Sequence, residues 1–366
     1  MNSCLPTFTC GCTILGTATQ TTFKLTGNLS CPISSGDGAI IIEKNGAILD
    51  LNGFKLTGDA ANQDIAGVGI FMDGVSNVKV LNGAITGFQT GIFGTGLDAT
   101  VFQNLRFSEF EAALVLSASD GVTVQDSTFL MINISDGGTG ISTDEVTDLT
   151  VTKNNFILQD TETTGIILDN NSNGALINLN TFSFPSSGTF NNANEFNIGI
   201  EIQDSIDTTV DSNCFFGPKS GTILPQTQGV NVDVDPTISL GDSNNVISNN
   251  SFDTLEFGVK VEEDEGTLVD SNCFTKNSIA IGLSATAMSF NVISNKFFNN
   301  DVNIDNNGSQ ITQPPVPSKK KGKTKGFCPC ALKKGKNKGS KMSKAPRMNK
   351  KSKMTKAPSA DVIRRH

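Results

Sequence analysis

The sequence contains no tryptophan and no tyrosine, and its one histidine is the terminal His366. The first absence removes the rings on which sugar-binding proteins usually stack a pyranose. Only Phe184, Phe190 and Phe196 are left to serve, and core packing competes for at least some of them. The second absence removes histidine-ligated zinc. Arginine is as scarce, since residues 1–317 hold just Arg106. No apolar run reaches the roughly 20 residues that a membrane-spanning helix requires. The first twenty residues have neither the basic stretch nor the apolar core of a secretory signal, which fits an intracellular chain or one whose start lies upstream.

Positive charge is missing from most of the chain and gathered at its end. Residues 318–366 hold 18 Lys and Arg against the single acid Asp361, whereas residues 1–317 hold 10 basic and 35 acidic residues. The formal net charge of −8 therefore conceals two opposite polyelectrolytes. An acidic body without a cationic groove disfavours nucleic acid and, in the absence of metal, anionic polysaccharide.

What the chain does have is repetition. Val210-Asp-Ser-Asn-Cys-Phe215 returns as Val269-Asp-Ser-Asn-Cys-Phe274, and looser copies end at Leu56, Ile85, Phe107, Phe129, Phe156, Phe182, Phe252 and Phe298. The shortest spacing, 22 residues, occurs three times. A second signal, Gly or Ala before a branched aliphatic residue, starts at Gly69, Gly91, Ala113, Gly140, Gly165, Gly199, Gly229, Gly258 and Ala280, locked in phase with the first. A period in the low twenties marks a solenoid. Short alternating runs such as Gly199-Ile-Glu-Ile-Gln203, separated by Asn, Asp, Ser and Gly, leave no room for a helix. Asn154, Asn180, Asn213, Asn250 and Asn272 sit two residues before the repeated Phe, so stacked coils about 4.8 Å apart would align their amides in a ladder. The fold expected from the repeats is all-β: a parallel β-helix of about ten coils. Its organisation reads as a Cys-rich N-terminal cap (1–40), the β-helix (41–310), a Pro-rich linker (311–317) and a disordered Lys-rich tail (318–366).

The coils differ in one place. Regular coils pass from the repeated anchor to the next aliphatic strand in seven positions, but four middle coils insert residues around 130–140, 157–165, 183–199 and 216–229. Loops leaving one corner of a rigid scaffold form a wall, and binding sites tend to lie on such loops. Alternation then points Asp73, Thr95, Ser117, Asp144, Asp169, Gln203, Asp233, Glu262 and Ser284 outward, with Ser142, Ile167, Glu201, Asn231 and Lys260 beside them. Asp144 with Asp169, and Asp233 with Glu262, stack near 5 Å and repel by about 1 kcal/mol even in water. Splaying into solvent, a bound calcium, or a raised pKa useful for acid–base work would each relieve that repulsion. The competing structural role is turn initiation by Asp and a soluble acidic surface, and the run Glu262-Glu-Asp-Glu265 reads as a solvated turn.

Cys4, Cys10, Cys12 and Cys31 cluster where a solenoid needs a cap, which favours disulfides and an oxidising compartment over zinc. Cys214 and Cys273 hold equivalent positions two coils apart, about 9.6 Å from the sheet spacing, too far for a mutual bridge. Both read as reduced structural residues, and Cys328-Pro-Cys330 as a pair of thiols.

Cys10-Gly-Cys-Thr-Ile14, Leu29-Ser-Cys31, Ile48-Leu-Asp-Leu-Asn-Gly-Phe-Lys-Leu-Thr-Gly58, Gly67-Val-Gly-Ile70 and Val78-Lys-Val-Leu-Asn-Gly83 together resemble the opening of secreted right-handed parallel β-helix repeat proteins of the pectate-lyase-like superfamily. The resemblance covers about residues 8–305. It implies a Cys10 to Cys31 bridge, with Cys4 and Cys12 left for a second, and a secreted or wall-associated location. The lyases of that superfamily place a base beside calcium-binding acids, but only Lys260 joins the acidic column here. The Asn-Thr-Asp, Asp-Asp, Gly-His-Gly and Arg-Ile-Lys motifs of its hydrolases are absent. Sequons at Asn28, Asn133, Asn170, Asn249 and Asn307 permit glycosylation of a secreted chain.

In the tail, Lys338, Lys341, Lys344, Arg347, Lys350, Lys353 and Lys356 recur every three residues, a spacing that a polyproline II turn would align on one face toward a polyanion. These spaced lysines among Ser, Ala and Pro resemble the lysine clusters of diatom silica-associated and cell-wall proteins, implying a silica or other polyanion partner. The function expected is a secreted or wall-associated module that binds a carbohydrate or matrix polymer through Asp144, Asp169, Glu201, Gln203, Asn231, Asp233, Lys260 and Glu262. The alternatives are a carbohydrate-active enzyme using Asp144, Asp169, Asp233 or Glu262, and a purely structural matrix protein.

Overall fold

The computed structural model describes residues 2–4, 7–32, 38–58, 67–131, 137–185, 196–218, 226–234, 243–287, 290–307, 311–312 and 330. Every strand pairing among them is parallel, and each strand bonds to its equivalent one coil away, as in Ile166↔Ile200↔Val230↔Val259↔Ile281. The result is the expected right-handed parallel β-helix of about ten turns. One face is a 13-stranded sheet running from Asn2–Ser3 to Val302–Asn306. The other is built from two short strands per coil, for example Thr209–Asp211 and Cys214–Phe216. Cys12–Ile14 and Gly38–Ile42 already lie in the 13-stranded sheet, so the first forty residues open the stack. Among the described residues no helix is long and apolar enough to cross a membrane.

The hexad explains the turn between the two short strands. Its third residue takes a left-handed conformation (Ser212 φ 55°, Asn249 φ 55°, Ser271 φ 56°), which turns the next residue, an asparagine, into the interior. Asn180, Asn213, Asn250 and Asn272 are fully buried. Each accepts, through Oδ1, both the main-chain N–H and the side-chain amide of the asparagine one coil before, at 2.8–3.1 Å, while its own amide also donates to a main-chain carbonyl. The buried amides thereby satisfy a turn whose carbonyls and N–H groups would otherwise be orphaned.

The hexad's last residue builds the core. Phe107, Phe129, Phe156, Phe182, Phe215, Phe252, Phe274 and Phe297 stack face to face with ring centroids 4.6–5.4 Å apart. The small residue of the second signal makes room for those rings. A Cβ built on Gly199 would lie 2.6 Å from the Gly229 carbonyl oxygen and 2.7 Å from the Phe215 ring. In the last coil the stacking residue is Phe297 rather than Phe298, and Asn295 two residues before it extends the ladder from Asn272. Lys296-Phe-Phe offers two aromatic anchors in a row, and the ladder selects the first.

Disulfides join Cys4 to Cys12 and Cys10 to Cys31 at the start of the helix. The expectation of reduced Cys214 and Cys273 is wrong. Cys214 is bridged to Cys330, and Cys273 is also disulfide-bonded. The spacing argument holds between the two coil positions, but the partner of Cys214 comes from beyond the last repeat. The Cys328-Pro-Cys330 motif is correspondingly no simple pair of thiols.

Candidate functional site

The outward side of the 13-stranded sheet carries three neighbouring columns where strands are longest. Gly138–Asp144, Thr163–Asp169, Asn197–Gln203 and Thr227–Asp233 are seven residues each, against five in Phe257–Val261. These are the coils with insertions after the Phe anchor. Pairing aligns Ser142, Ile167, Glu201, Asn231 and Lys260 in the central column. Asp144 lies opposite Asp169 and Gln203 opposite Asp233, and the register of Val232 with Val261 carries Asp233 alongside Glu262. On the other side run Ile198, Gln228 and Phe257.

Two polar residues on this outward face are nonetheless buried: Asn231 is 5% exposed and Gln228 1%. Asn231 Oδ1 and Gln228 Oε1 have no hydrogen-bond partner among the described residues. Beside them Lys260 pairs with the Glu262 carboxylate, and its ammonium lies 5.3 Å from the Phe196 ring centre and 5.8 Å from that of Phe257. Gln203 Nε2 donates to Glu201 Oε1 at 3.0 Å.

Burial pushes the Glu201 carboxyl above the usual carboxylate range. Hydrogen bonds from Gln203 and Asn231 oppose that rise, while the charges of Asp233 and Glu262 add to it. Asp233 is raised by burial and by Glu262, Glu263 and Asp204, against Lys260. Asp169 is raised by burial, with the Asn170 N–H opposing and Asp204 and Asp144 contributing. Three carboxyls on one face thus hold protons more tightly than free acids do. Exposed Asp144 instead accepts Asn170 Nδ2 at 2.6 Å and Ser117 Oγ at 3.3 Å.

Other residues marked in the sequence fall elsewhere. Phe184 is packed in the core, while Phe190 and Lys338, Lys341, Lys344, Arg347, Lys350, Lys353 and Lys356 lie outside the described residues. Much of the inserted wall does too, at 132–136, 186–195 and 219–225. Asp264 is no part of a solvated turn: it is 1% exposed and accepts the Thr267 N–H. Among the described residues no three His, Cys, Asp or Glu side chains converge on a point where a metal ion would sit, so the calcium considered for the acidic column has no described cage. Asn28, Asn170, Asn249 and Asn307 are exposed, and Asn133 is outside the described residues.

The family model for the right-handed β-helix region matches residues 11–182 and 68–236. The chain belongs to the right-handed β-helix family. Among curated proteins no sequence matches this β-helix. Among solved structures it is similar to the DFA-IIIase of Arthrobacter chlorophenolicus A6 without its lid, at 12% identity over 79% of this chain and 81% of that one, with a TM-score of 0.52. It is also similar to a tailspike protein mutant, E372Q, of E. coli bacteriophage HK620 in complex with a pentasaccharide, at 13% identity and a TM-score of 0.57. The match takes in 79% of this chain but only 58% of that tailspike. Such identities establish a shared fold.

The β-helix thus presents hydrogen-bond acceptors, carboxyls of raised proton affinity and two Phe rings on one face. The sequence placed Glu201 among binding residues but not among the acids. Alternation gives the direction of a side chain, not what covers it, and it is burial that distinguishes Glu201.

Proposed function

We propose that the protein is a carbohydrate-binding β-helix module that works outside the cell and takes a saccharide or matrix polymer along the outward face from Asp144 to Glu262. The observation that carries this reading is the buried pair Asn231 and Gln228, which stand on the outward columns beside Lys260 and Phe257 and whose amide oxygens have no hydrogen-bond partner among the described residues. Sugar hydroxyls are donors that would satisfy these acceptors and Glu201, and an apolar sugar face would rest on the Phe196 and Phe257 rings. Long strands set the polar columns side by side over four coils, which suits an extended chain of several residues. The fold is shared with a tailspike solved with a pentasaccharide. The bridges Cys4–Cys12, Cys10–Cys31 and Cys214–Cys330 fit an oxidising compartment. The lysine-rich tail from residue 318 would add a polyanion or mineral contact.

Affinity electrophoresis of the full chain through gels containing wall polysaccharides tests this. At least one polymer should retard the protein, and Asn231→Ala or Phe257→Ala should abolish the retardation while Asp73→Asn leaves it. Retardation that all three variants preserve, or none by any polymer, would refute the assignment.

A further inference from the structure

We propose that two copies of this chain pair reversibly and antiparallel through the short-strand face, about a two-fold axis at the coil of Leu176 and Leu179. The contact stands apart from the saccharide reading, because its strands do not belong to the 13-stranded sheet.

Leu176 is 36% exposed and Leu179 52%, two of the three large apolar side chains so exposed among the described residues. Both break the pattern of their columns. Leu176 stands in line with Thr123, Thr150 and Thr209. Leu179 takes the left-handed turn position, φ 57°, that Asp126, Lys153 and Ser212 hold in adjoining coils. A left-handed Leu is strained, and an exposed one recovers nothing by burial, so the single chain is less stable for having it. Strain kept at a surface points to a role there, and neighbouring apolar side chains suit the centre of a protein interface.

The flanks identify the occupant as a second copy. A two-fold axis along the strand direction sets each coil before Leu176 against the coil equally far after it on the other molecule, column on column. In the first column Val101 then meets Leu268, Thr123 meets Val246, Thr150 meets Thr209, and Leu176 meets its own copy. In the next column Gln103 meets Asp270, Gln125 meets Ser248, Thr152 meets Asp211, and Asn178 lies on the axis. Along the turn Asp126 meets Asn249, and Lys153 arrives at Ser212 beside Asp211. Each carboxylate is thus offered an amide or ammonium donor, and no like charges coincide. A parallel pairing would instead set Asp126, Lys153, Asp211 and Asp270 each against itself, which repels.

The charges needed are present. Lys153 is exposed and makes no ion pair among the described residues. Burial raises Asp211, but hydrogen bonds from Asn249, Ser212 and Ser248 outweigh it and hold the carboxyl below the usual range. Six rungs from Val101 to Leu268 make a strip about 29 Å long and one short strand wide. That is smaller than the roughly 800 Å² per partner of a standard stable interface, so the dimer is weak and reversible.

The test uses the full, disulfide-intact chain at about 0.15 M salt, where repulsion between the two acidic bodies is screened beyond about 8 Å. Sedimentation equilibrium over about two decades of concentration should show a monomer–dimer equilibrium with a Kd of about 1 µM or weaker. Lys153→Glu and Asp211→Lys should each weaken it about tenfold or more, and the double variant, with the charges exchanged, should recover it. Leu179→Asn should abolish the dimer although it relaxes the turn, so that loss of pairing is not loss of fold. A short bis-maleimide should link Asn178→Cys across a face-to-face gap of about 10 Å, but not Thr123→Cys, whose copies lie four rungs or about 19 Å apart along the stack. If Asp211→Lys alters the far-UV circular dichroism, Leu179→Asn and the cross-link carry the test. A monomer at every concentration, a dimer that Leu179→Asn leaves intact, a folded double variant that does not recover pairing, or a cross-link through Thr123→Cys in place of Asn178→Cys would overturn the proposal.

Discussion

Asn213 donates twice to Asn250 on the next coil, from its main-chain N–H at 2.8 Å and its side-chain amide at 3.1 Å, both to the same Oδ1. Asn213 in turn accepts the corresponding pair from Asn180 and donates to the Ile177 carbonyl. Asn213→Ala therefore strips acceptors from two buried donors and a donor from a buried carbonyl. At about 1–3 kcal/mol per group left unpaired, the variant should lose 3 kcal/mol or more by that rule, read as a lowered urea midpoint. A loss under about 1 kcal/mol would mean that the ladder is ornamental.

Leu179 is an outlier in an otherwise consistent turn. The left-handed position three residues before the stacked aromatic is Asn104, Asp126, Lys153, Ser212, Asn249, Ser271 and Ser294 in other coils, but Leu179 here, at φ 57° and 52% exposed. Asn adopts that conformation more readily than Leu. Leu179→Asn should stabilise the protein by about 0.5–1 kcal/mol, on the scale of other backbone-compatible substitutions, and differential scanning calorimetry would register an upward shift in Tm.

The bridge between Cys214 and Cys330 spans 116 residues of sequence. Loops of that length give the largest chain-entropy effect, and loss of a native disulfide costs about 2–5 kcal/mol. Cys330→Ser should lower the denaturation midpoint accordingly without altering the far-UV circular dichroism, because the Asn and Phe stacks do not depend on it. Peptide mapping under non-reducing conditions should recover Cys214 linked to Cys330; recovery of a free Cys214 thiol would contradict the structure.

Two buried aspartates should pull the pH dependence of stability in opposite directions. Burial raises Asp50, but Lys24 at 2.9 Å, Asn82 and the Asn52 N–H more than offset it and hold its carboxyl below the ordinary range. Its stabilisation is therefore present above the ordinary Asp value of about 3.9 and disappears as pH falls through the lower folded value. Asp264 is raised by burial despite hydrogen bonds from Ser243 and Thr267, so stability falls as pH rises from about 3.9 through its higher folded value. Melting curves should show Asp50→Asn losing Tm at pH 7 and Asp264→Asn gaining it, with both differences shrinking toward pH 3. Parallel shifts at both pH values would refute the assignment.

The features legible in the sequence are those that repeat. Each coil meets the same two neighbours, so the inward Phe, the Asn two residues before it and the outward columns recur in phase, and the pairing of Asn231 with Glu201 and Lys260 follows that register. Phe297 was obscured by Phe298 beside it, although Asn295 carries the ladder signal that separates them. Cys330 lies after the last repeat, where no period assigns a position, so its bridge to Cys214 had no sequence signal. Asp264 reads as part of a charged turn and Glu201 is placed by direction alone, whereas the character of both comes from what packs around them.

The Cys214 to Cys330 bond also changes what a cut does to the molecule. Any nick between those residues opens a ring rather than freeing a piece: both products remain one covalent species, and the cationic stretch that follows Cys330 stays attached to the coil that carries Cys214. Shedding that stretch by a cut inside the ring requires a reductant as well as a protease, whereas a cut after Cys330 needs only the protease. Loss of the lysine-rich end therefore reports where the chain was cleaved and in what redox surroundings.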